Sequence, residues 1–204
     1  MGDVLQGDWG ASIATKRPVL QELGDRLPAT LELLFAGMAI AILLGVPMGV
    51  ISAQRQGRPA DFVVRFIAII GVSIPAFGLG LLLQILFFRN LDILPLSGRI
   101  GKDLRFASPI VETTGFLLLD SLLSGNWLGF RDVLWHLVLP AITLAAYPLG
   151  LIARMTRGTM LEVLQQDYIR TAHAYGTRER VVVYLYALKN AIGPTLTVIG
   201  LTFA

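Results

Sequence analysis

The chain has 204 residues, of which 54% are hydrophobic and 15% charged, and its mean hydropathy is +0.67. This composition excludes an ordinary soluble domain, which needs polar groups to cover its surface, and indicates an integral membrane protein. The net charge of +3 comes from basic residues that lie between apolar runs without interleaved aromatic residues, so nucleic-acid binding is not predicted. The absence of cysteine excludes disulfides and cysteine-based metal sites.

The first twenty residues show no basic segment followed by an apolar one, so no signal peptide is predicted. Three later stretches are apolar over the length of about 20 residues that a membrane-spanning helix needs. A fourth apolar run begins near Ala191 and ends with the chain at about half of that length, so we expect a fragment or a truncated product. The predicted spans cover residues 31–53, 66–88 and 133–153, with an incomplete one from about 191.

The distribution of Lys and Arg predicts the orientation of these spans. The segments 54–65 and 154–190 are shorter than the other connecting segments together, yet they carry nine of the 17 Lys and Arg residues. Because positive charge accumulates on the cytoplasmic side, both segments are predicted to be cytoplasmic, and the 89–132 loop to lie outside. That outer loop is apolar but interrupted, so we expect a partly helical lid or re-entrant element, with Trp127 and Trp135 as interfacial anchors.

Each predicted span also contains proline or clustered glycine. Proline removes a helical hydrogen bond, which lipid tolerates only where protein or water satisfies the backbone, so such helices are candidates for lining a pathway. Close packing of small residues is the simpler explanation, and we prefer it on the sequence alone. The pathway candidates are Pro47, Pro75, Pro140 and Pro148.

The sequence contains no set of residues that predicts catalysis. His136 and His173 do not form a metal-binding pair, and neither a nucleophile elbow nor a phosphate-binding loop occurs. We therefore expect no enzyme activity, no metal and no cofactor in this chain, and any ATP would be bound by another chain. The span interiors lack carboxylates, and Glu32 at the edge of the first span is expected to cap its helix, which weakens the case for a proton-driven transporter.

The most polar passage predicts two helices that meet at a corner. From Thr156 to Ala174, apolar residues recur every three or four positions, which is typical of one helix face. Gly176 can adopt positive φ at the end of that helix, and Thr177 is expected to cap the next helix, with Glu179 in its first turn. Such an element fits a groove in a partner, although its arginines alone follow from the positive-inside bias. The predicted face comprises Met160, Leu161, Leu164, Tyr168 and Ala172.

The passage DYIRTAHAYGTRERVVVYLYALKNAIGP resembles the cytoplasmic EAA loop of ABC importer permeases, in the form found in the dipeptide, oligopeptide and nickel branch. Further segments resemble the same permeases in the same order, and together they cover nearly the whole chain. They are GDWGASI, RPVLQELGDRLPATLEL, GVSIPAFGLGLLLQILF, LPLSGR, TGFLLLDSLL and HLVLPAITLA.

The resemblance implies an all-α, polytopic transmembrane helical bundle with a cytoplasmic coupling helix, in a bacterial or archaeal cytoplasmic membrane. It also implies a second permease subunit, two cytoplasmic ATPase subunits that bind ATP and Mg, and an external solute-binding protein. The ATPase-coupling residues carried over from the motif are Asp167, Tyr168, Arg170, Thr171, Ala172, Gly176, Glu179 and Arg180.

Four positions and both ends depart from the usual family pattern. Arg170 and Thr171 stand where the general motif has glutamate and alanine, and His173 and Tyr175 replace the more usual arginine and lysine. Family members carry one further span before this chain and at least one complete span after it.

The expected function is a permease subunit for peptides or a similar small solute. A membrane scaffold that only recruits a partner, and a secondary transporter, remain the alternatives.

Overall fold

The computed structural model describes residues 9–107, 110–111 and 113–203. Within these residues the regular secondary structure is helical, apart from one isolated β-bridge between Ala11 and Pro18. The predicted all-α fold is therefore confirmed. Three described helices are long and apolar enough to cross a membrane, and a bent pair raises the number to four if it counts as one span.

The helices that the structure describes are three long ones, a bent pair and three short ones. The three long ones are α1 (Val19–Gln54), α6 (Trp127–Leu164) and α8 (Glu179–Phe203). The bent pair consists of α2 (Pro59–Ser73) and α3 (Ala76–Asn90), and the short helices are α4 (Lys102–Ala107), α5 (Leu117–Leu123) and α7 (Asp167–Ala174). The end of α3 and the start of α8 are wound as π-helix, over Gln84–Asn90 and Val182–Leu188.

The chain forms two compact units, and both α1 and α6 contribute to each of them. The first unit comprises the described residues of Met1–Phe35 and Leu94–Val138. The second comprises those of Ala36–Ile93 and Leu139–Ala204.

An ion pair within the first unit corrects the role predicted for Glu32. Because α1 already begins at Val19, Glu32 lies inside the helix and does not cap it. Its carboxylate instead accepts a 2.8 Å hydrogen bond from Arg99 and a 2.6 Å bond from the backbone N–H of Leu118, in the first turn of α5. Arg99 also donates to the carbonyl of Gly115. Glu32 therefore holds the loop and α5 against α1.

A second carboxylate organises the turn before α5. Asp120 is buried and accepts bonds from the N–H and the hydroxyl of Thr114 and from the N–H of Gly115, at 2.7 to 3.0 Å. Burial by itself raises the pKa of Asp120, but these hydrogen bonds outweigh it and hold the pKa below its usual value. The loop between α3 and α6 is thus folded and partly helical over the residues that the structure describes.

Glycine allows the helices of the second unit to approach closely. A Cβ on Gly49 of α1 would lie 2.6 Å from the Cβ of Thr156 in α6, and one on Gly45 would lie 3.0 Å from Ile152. Towards α2, a Cβ on Gly150 would lie 2.6 Å from the carbonyl oxygen of Ala68. The second half of α6 therefore packs backbone against backbone on two neighbours, which supports the close-packing explanation for these glycines.

The four candidate prolines differ in what they do to their helices. Pro47 lies within α1 and Pro140 and Pro148 lie within α6, and both helices continue through them. Pro75 instead lies at a break, because Ile74 before it is extended, with φ −84° and ψ 126°. The helices on either side, α2 and α3, are bent by 109°. The span predicted over 66–88 is therefore not one continuous helix, and the bent pair crosses the membrane as a broken span if the two helices count as one.

Candidate functional site

The candidate site is the corner formed by α7 and the start of α8. A single helix over Thr156–Ala174 is a wrong prediction: α6 ends at Leu164, and Gln166 is extended at φ −70° and ψ 149° before α7 begins. Of the predicted face, Met160 is buried and Leu161, Leu164 and Ala172 pack against the apolar cluster that contains it, but the break changes one member. Tyr168 is exposed instead of lying on the apolar face, and Ile169 is buried in its place.

Ile169 anchors α7 to the rest of the second unit. It is 2% exposed and belongs to a cluster of buried apolar side chains, which we call the anchor cluster. Because the members come from α1, α6, α7 and α8, a force applied to α7 reaches three long helices through close packing. The buried members are Val50, Ala53, Met160, Ile169, Val182, Val183, Ala187 and Ala191.

The opposite side of α7 offers an exposed surface. Tyr168, Arg170 and Thr171 are exposed along the helix, and Tyr175 at its end is 86% exposed. Large aromatic and arginine side chains are enriched where proteins contact one another. The short helix therefore combines one deeply buried anchor with a face on which a partner can bind.

The corner is a Schellman turn, which confirms the positive φ predicted for Gly176 at the end of the helix. Its φ is +71°, the N–H of Gly176 donates to the carbonyl of His173 at 2.9 Å, and the N–H of Thr177 donates to that of Ala172 at 3.1 Å. The cap predicted for Thr177 is wrong, because Arg178 is the N-cap residue of α8 and makes no side-chain cap bond. Thr177 is already engaged in closing the preceding turn.

Charges around the corner are only partly paired. Asp167 and Arg170 approach to 3.3 Å, and the ring of His173 lies 3.7 Å from a carboxylate oxygen of Glu179 across the turn. Both pairs are exposed to solvent, so each contributes little to stability. Arg178 and Arg180 are exposed and make no ion pair with any residue that the structure describes. Two guanidinium groups are thus available to an acidic partner.

A buried ionic network lies beside the anchor cluster. The carboxylate of Asp61, which is 1% exposed, accepts hydrogen bonds from the hydroxyl of Ser52 at 2.6 Å and from the N–H of Gly57 at 3.0 Å. Arg157 donates to both of its oxygens, and Arg65 lies 3.5 Å away. The network thus joins the end of α1, the following turn, the start of α2 and the second half of α6.

In the sequence, Arg157 is explained as one of the charges that set the topology, and nothing singles out Asp61 as its partner. The available signal was the stretch RPAD, in which an acidic residue follows Pro59 at the start of a helix. That pattern predicts helix initiation alone. The partner is 96 residues away, which is why only the tertiary structure reveals the pair.

The helical architecture defines a multi-pass α-helical membrane protein. Residues 45–204 match the model of the family described as "Binding-protein-dependent transport system inner membrane component". The chain belongs to this family, as the resemblance in its sequence predicts.

Several similar proteins cover nearly the whole chain. It is 49% identical over 201 residues to a "Probable D,D-dipeptide transport system permease protein" of Escherichia coli (strain K12) and 44% identical to a dipeptide transport system permease protein of Alkalihalophilus pseudofirmus. It is 37% identical to an oligopeptide transport system permease protein of Bacillus subtilis. Each alignment covers 98% of this chain and 57 to 59% of the relative, so the chain spans less than two thirds of their length.

Proposed function

We propose that this chain is part of the permease subunit of an ABC importer, which moves peptides or a similar small solute across the cytoplasmic membrane with ATP hydrolysed by separate subunits. The observation that carries the proposal is the construction of α7. One buried residue, Ile169, holds the helix to three long helices, while its exposed face presents tyrosine and arginine. Family membership supports the same role.

In the proposed mechanism, α7 is a coupling helix that docks in a groove of a cytoplasmic ATPase subunit. Closure of the ATPases would displace α7, and the rigid anchor cluster would pass the displacement to α1, α6 and α8. The Schellman turn at Gly176 keeps α7 and the start of α8 at a fixed angle, so the two would move together. The segments 54–65 and 154–190 would then face the cytoplasm, as their basic residues predict.

The proposed solute class is based on the relatives, because the names of those reported above refer to dipeptides or oligopeptides. The proposed partners are a second permease subunit, two ATPase subunits and an external solute-binding protein. ATP and Mg would be bound by the ATPase subunits.

The test uses the full-length permease that contains this chain, co-expressed with its partners and reconstituted in vesicles. Uptake of a radiolabelled dipeptide is measured with and without ATP, and retention of the ATPases is measured by affinity purification. We compare Gly176→Pro with Gly176→Asn. Proline fixes φ near −65° and cannot adopt the +71° of this position, whereas asparagine tolerates it.

The proposal expects ATP-dependent uptake in the wild type and in Gly176→Asn, and loss of uptake or of ATPase retention in Gly176→Pro, with all three proteins present in the membrane. Unchanged uptake in Gly176→Pro would exclude the coupling role of this corner. Retention of the ATPases by a wild type that transports no peptide would favour a scaffold. Uptake that is independent of ATP and abolished by an uncoupler would identify a secondary transporter.

A further inference from the structure

A surface cavity of about 280 Å³ lies between α2 and α6, within the second unit. None of its lining residues belongs to the corner formed by α7 and the start of α8. They are Val64, Arg65, Ala68, Ile69, Ala153, Arg154 and Arg157.

Three arginines contribute to the lining of this cavity. Arg154 and Arg157 lie three positions apart on α6 and so share a face of the helix, and Arg65 comes from α2. Asp61 pairs with Arg157 at 2.8 Å and more loosely with Arg65 at 3.5 Å. Arg154 is exposed and has no ion-pair partner among the side chains that the structure describes. The cavity therefore has a positive charge that the neighbouring Asp61 does not neutralise.

The remaining lining is apolar and continues along a surface suited to hydrocarbon. Val64, Ala68 and Ala153 form the inner wall, and Ile69 lies one turn beyond Arg65 on α2 and is 62% exposed. The rings of Phe62 and Phe66 stack with their centroids 6.4 Å apart on the exposed side of the same helix. The charged end and the apolar flank together match an amphiphile with an anionic head.

We propose that this cavity binds the phosphate group of an anionic phospholipid, with the acyl chains lying along α2. Arginine forms paired, charge-assisted hydrogen bonds with phosphate oxygens, and basic pockets between membrane helices commonly hold anionic headgroups. A peptide carboxylate would use the same guanidinium groups but not the apolar flank. The inference is independent of the proposed transport function, because lipid binding requires neither ATPase nor solute.

The test uses the full-length permease complex in nanodiscs of phosphatidylcholine alone or of an equimolar mixture of phosphatidylcholine and phosphatidylglycerol. Lipids that remain bound after transfer to detergent are counted by native mass spectrometry, and the apparent affinity is obtained by titrating phosphatidylglycerol. The variant is Arg154→Gln, which leaves the Asp61 network intact. The control is Arg55→Gln, the same change of charge at an exposed arginine outside the cavity.

The wild type and Arg55→Gln are expected to retain phosphatidylglycerol in preference to phosphatidylcholine. Arg154→Gln is expected to bind it at least about tenfold more weakly, because a charged hydrogen-bonding partner is lost. Equal retention of both lipids by the wild type, or equal affinity of the two variants, would overturn the proposal.

Two further results would identify a different occupant. If millimolar inorganic phosphate displaces phosphatidylglycerol and raises the melting temperature of the wild type as much as the lipid does, the site binds free anions and the lipid assignment fails. If Arg154→Gln reduces retention of a partner subunit but leaves lipid retention unchanged, the cavity is a protein contact and the proposal is wrong.

Discussion

Arg157 and Asp61 form a two-point ion pair, in which Nε lies 2.8 Å from Oδ1 and Nη2 lies 3.1 Å from Oδ2. The carboxylate is 1% exposed and the arginine side chain 21%. Desolvation of two charges is costly, but the added bonds from Ser52 and Gly57 satisfy the remaining acceptor positions of the carboxylate. The pair therefore holds the turn between α1 and α2 to α6.

Asp61→Asn should lower the free energy of unfolding by about 3 kcal/mol, because it leaves the guanidinium of Arg157 without its counter-charge. The measurement is unfolding by denaturing detergent from mixed micelles. Ser52→Ala, which removes one hydrogen bond from the same carboxylate, should cost only about 1 kcal/mol. Equal losses in the two variants would show that the ionic charge contributes nothing beyond hydrogen bonding.

Gly49→Ala should destabilise the protein by about 1–3 kcal/mol, because the added methyl group would lie 2.6 Å from the Cβ of Thr156 and 2.7 Å from the carbonyl oxygen of Ala153. Gly158→Ala is the matched control, since a Cβ there has no described neighbour within 4 Å. In a helix that change should be neutral or stabilising by up to about 1 kcal/mol. Thermal unfolding followed by tryptophan fluorescence distinguishes the two outcomes, and a stabilised Gly49→Ala would contradict backbone-to-backbone packing at this position.

The first unit should lose stability in acid, because the charged form of Asp120 stabilises it. Its pKa is lower in the folded protein than its ordinary value of 3.8, despite burial, because Thr114 and Gly115 donate hydrogen bonds to the charged form. The resulting stabilisation is fully present above about pH 4 and is lost as the pH falls through the folded-state pKa.

The test is hydrogen exchange of the Leu117–Leu123 helix between pH 6 and pH 3, corrected for the intrinsic exchange rate. Asp120→Asn should reduce protection at pH 6 and flatten its dependence on pH. Asp103→Asn, at an exposed carboxylate of α4, should retain the wild-type profile. An unchanged profile in Asp120→Asn would assign the acid sensitivity to other groups.

Gly176→Ala should lower the protection of the Thr177 amide against hydrogen exchange by roughly tenfold, because an L-residue at φ +71° costs about 1–2 kcal/mol. That amide reports on the turn because it donates to the carbonyl of Ala172. Gly193→Ala, within α8, should leave the protection unchanged, because no described atom lies within 4 Å of a Cβ there. Equal effects of the two substitutions would mean that φ at Gly176 does not determine the stability of the turn.

The corner shows what a local pattern can and cannot predict. Gly176 was identifiable because positive φ at a helix end is a property of the residue itself. The choice between Tyr168 and Ile169 as the buried side chain was not identifiable, since both fit an apolar helix face. The break at Gln166 decided it, because the turn directs Ile169 towards Met160, Val182 and Val183.

The long apolar runs are sufficient to predict a helical protein embedded in a membrane, since such runs can satisfy their backbone in lipid only as helices. The sequence also determined the family, because the motifs occur in order along nearly the whole chain. The break between α2 and α3 follows from Pro75, which the sequence shows, but the partners of Glu32 and Asp61 are visible only in the folded protein. Those contacts join groups 67 to 96 residues apart, and neither hydropathy nor helical periodicity contains that information.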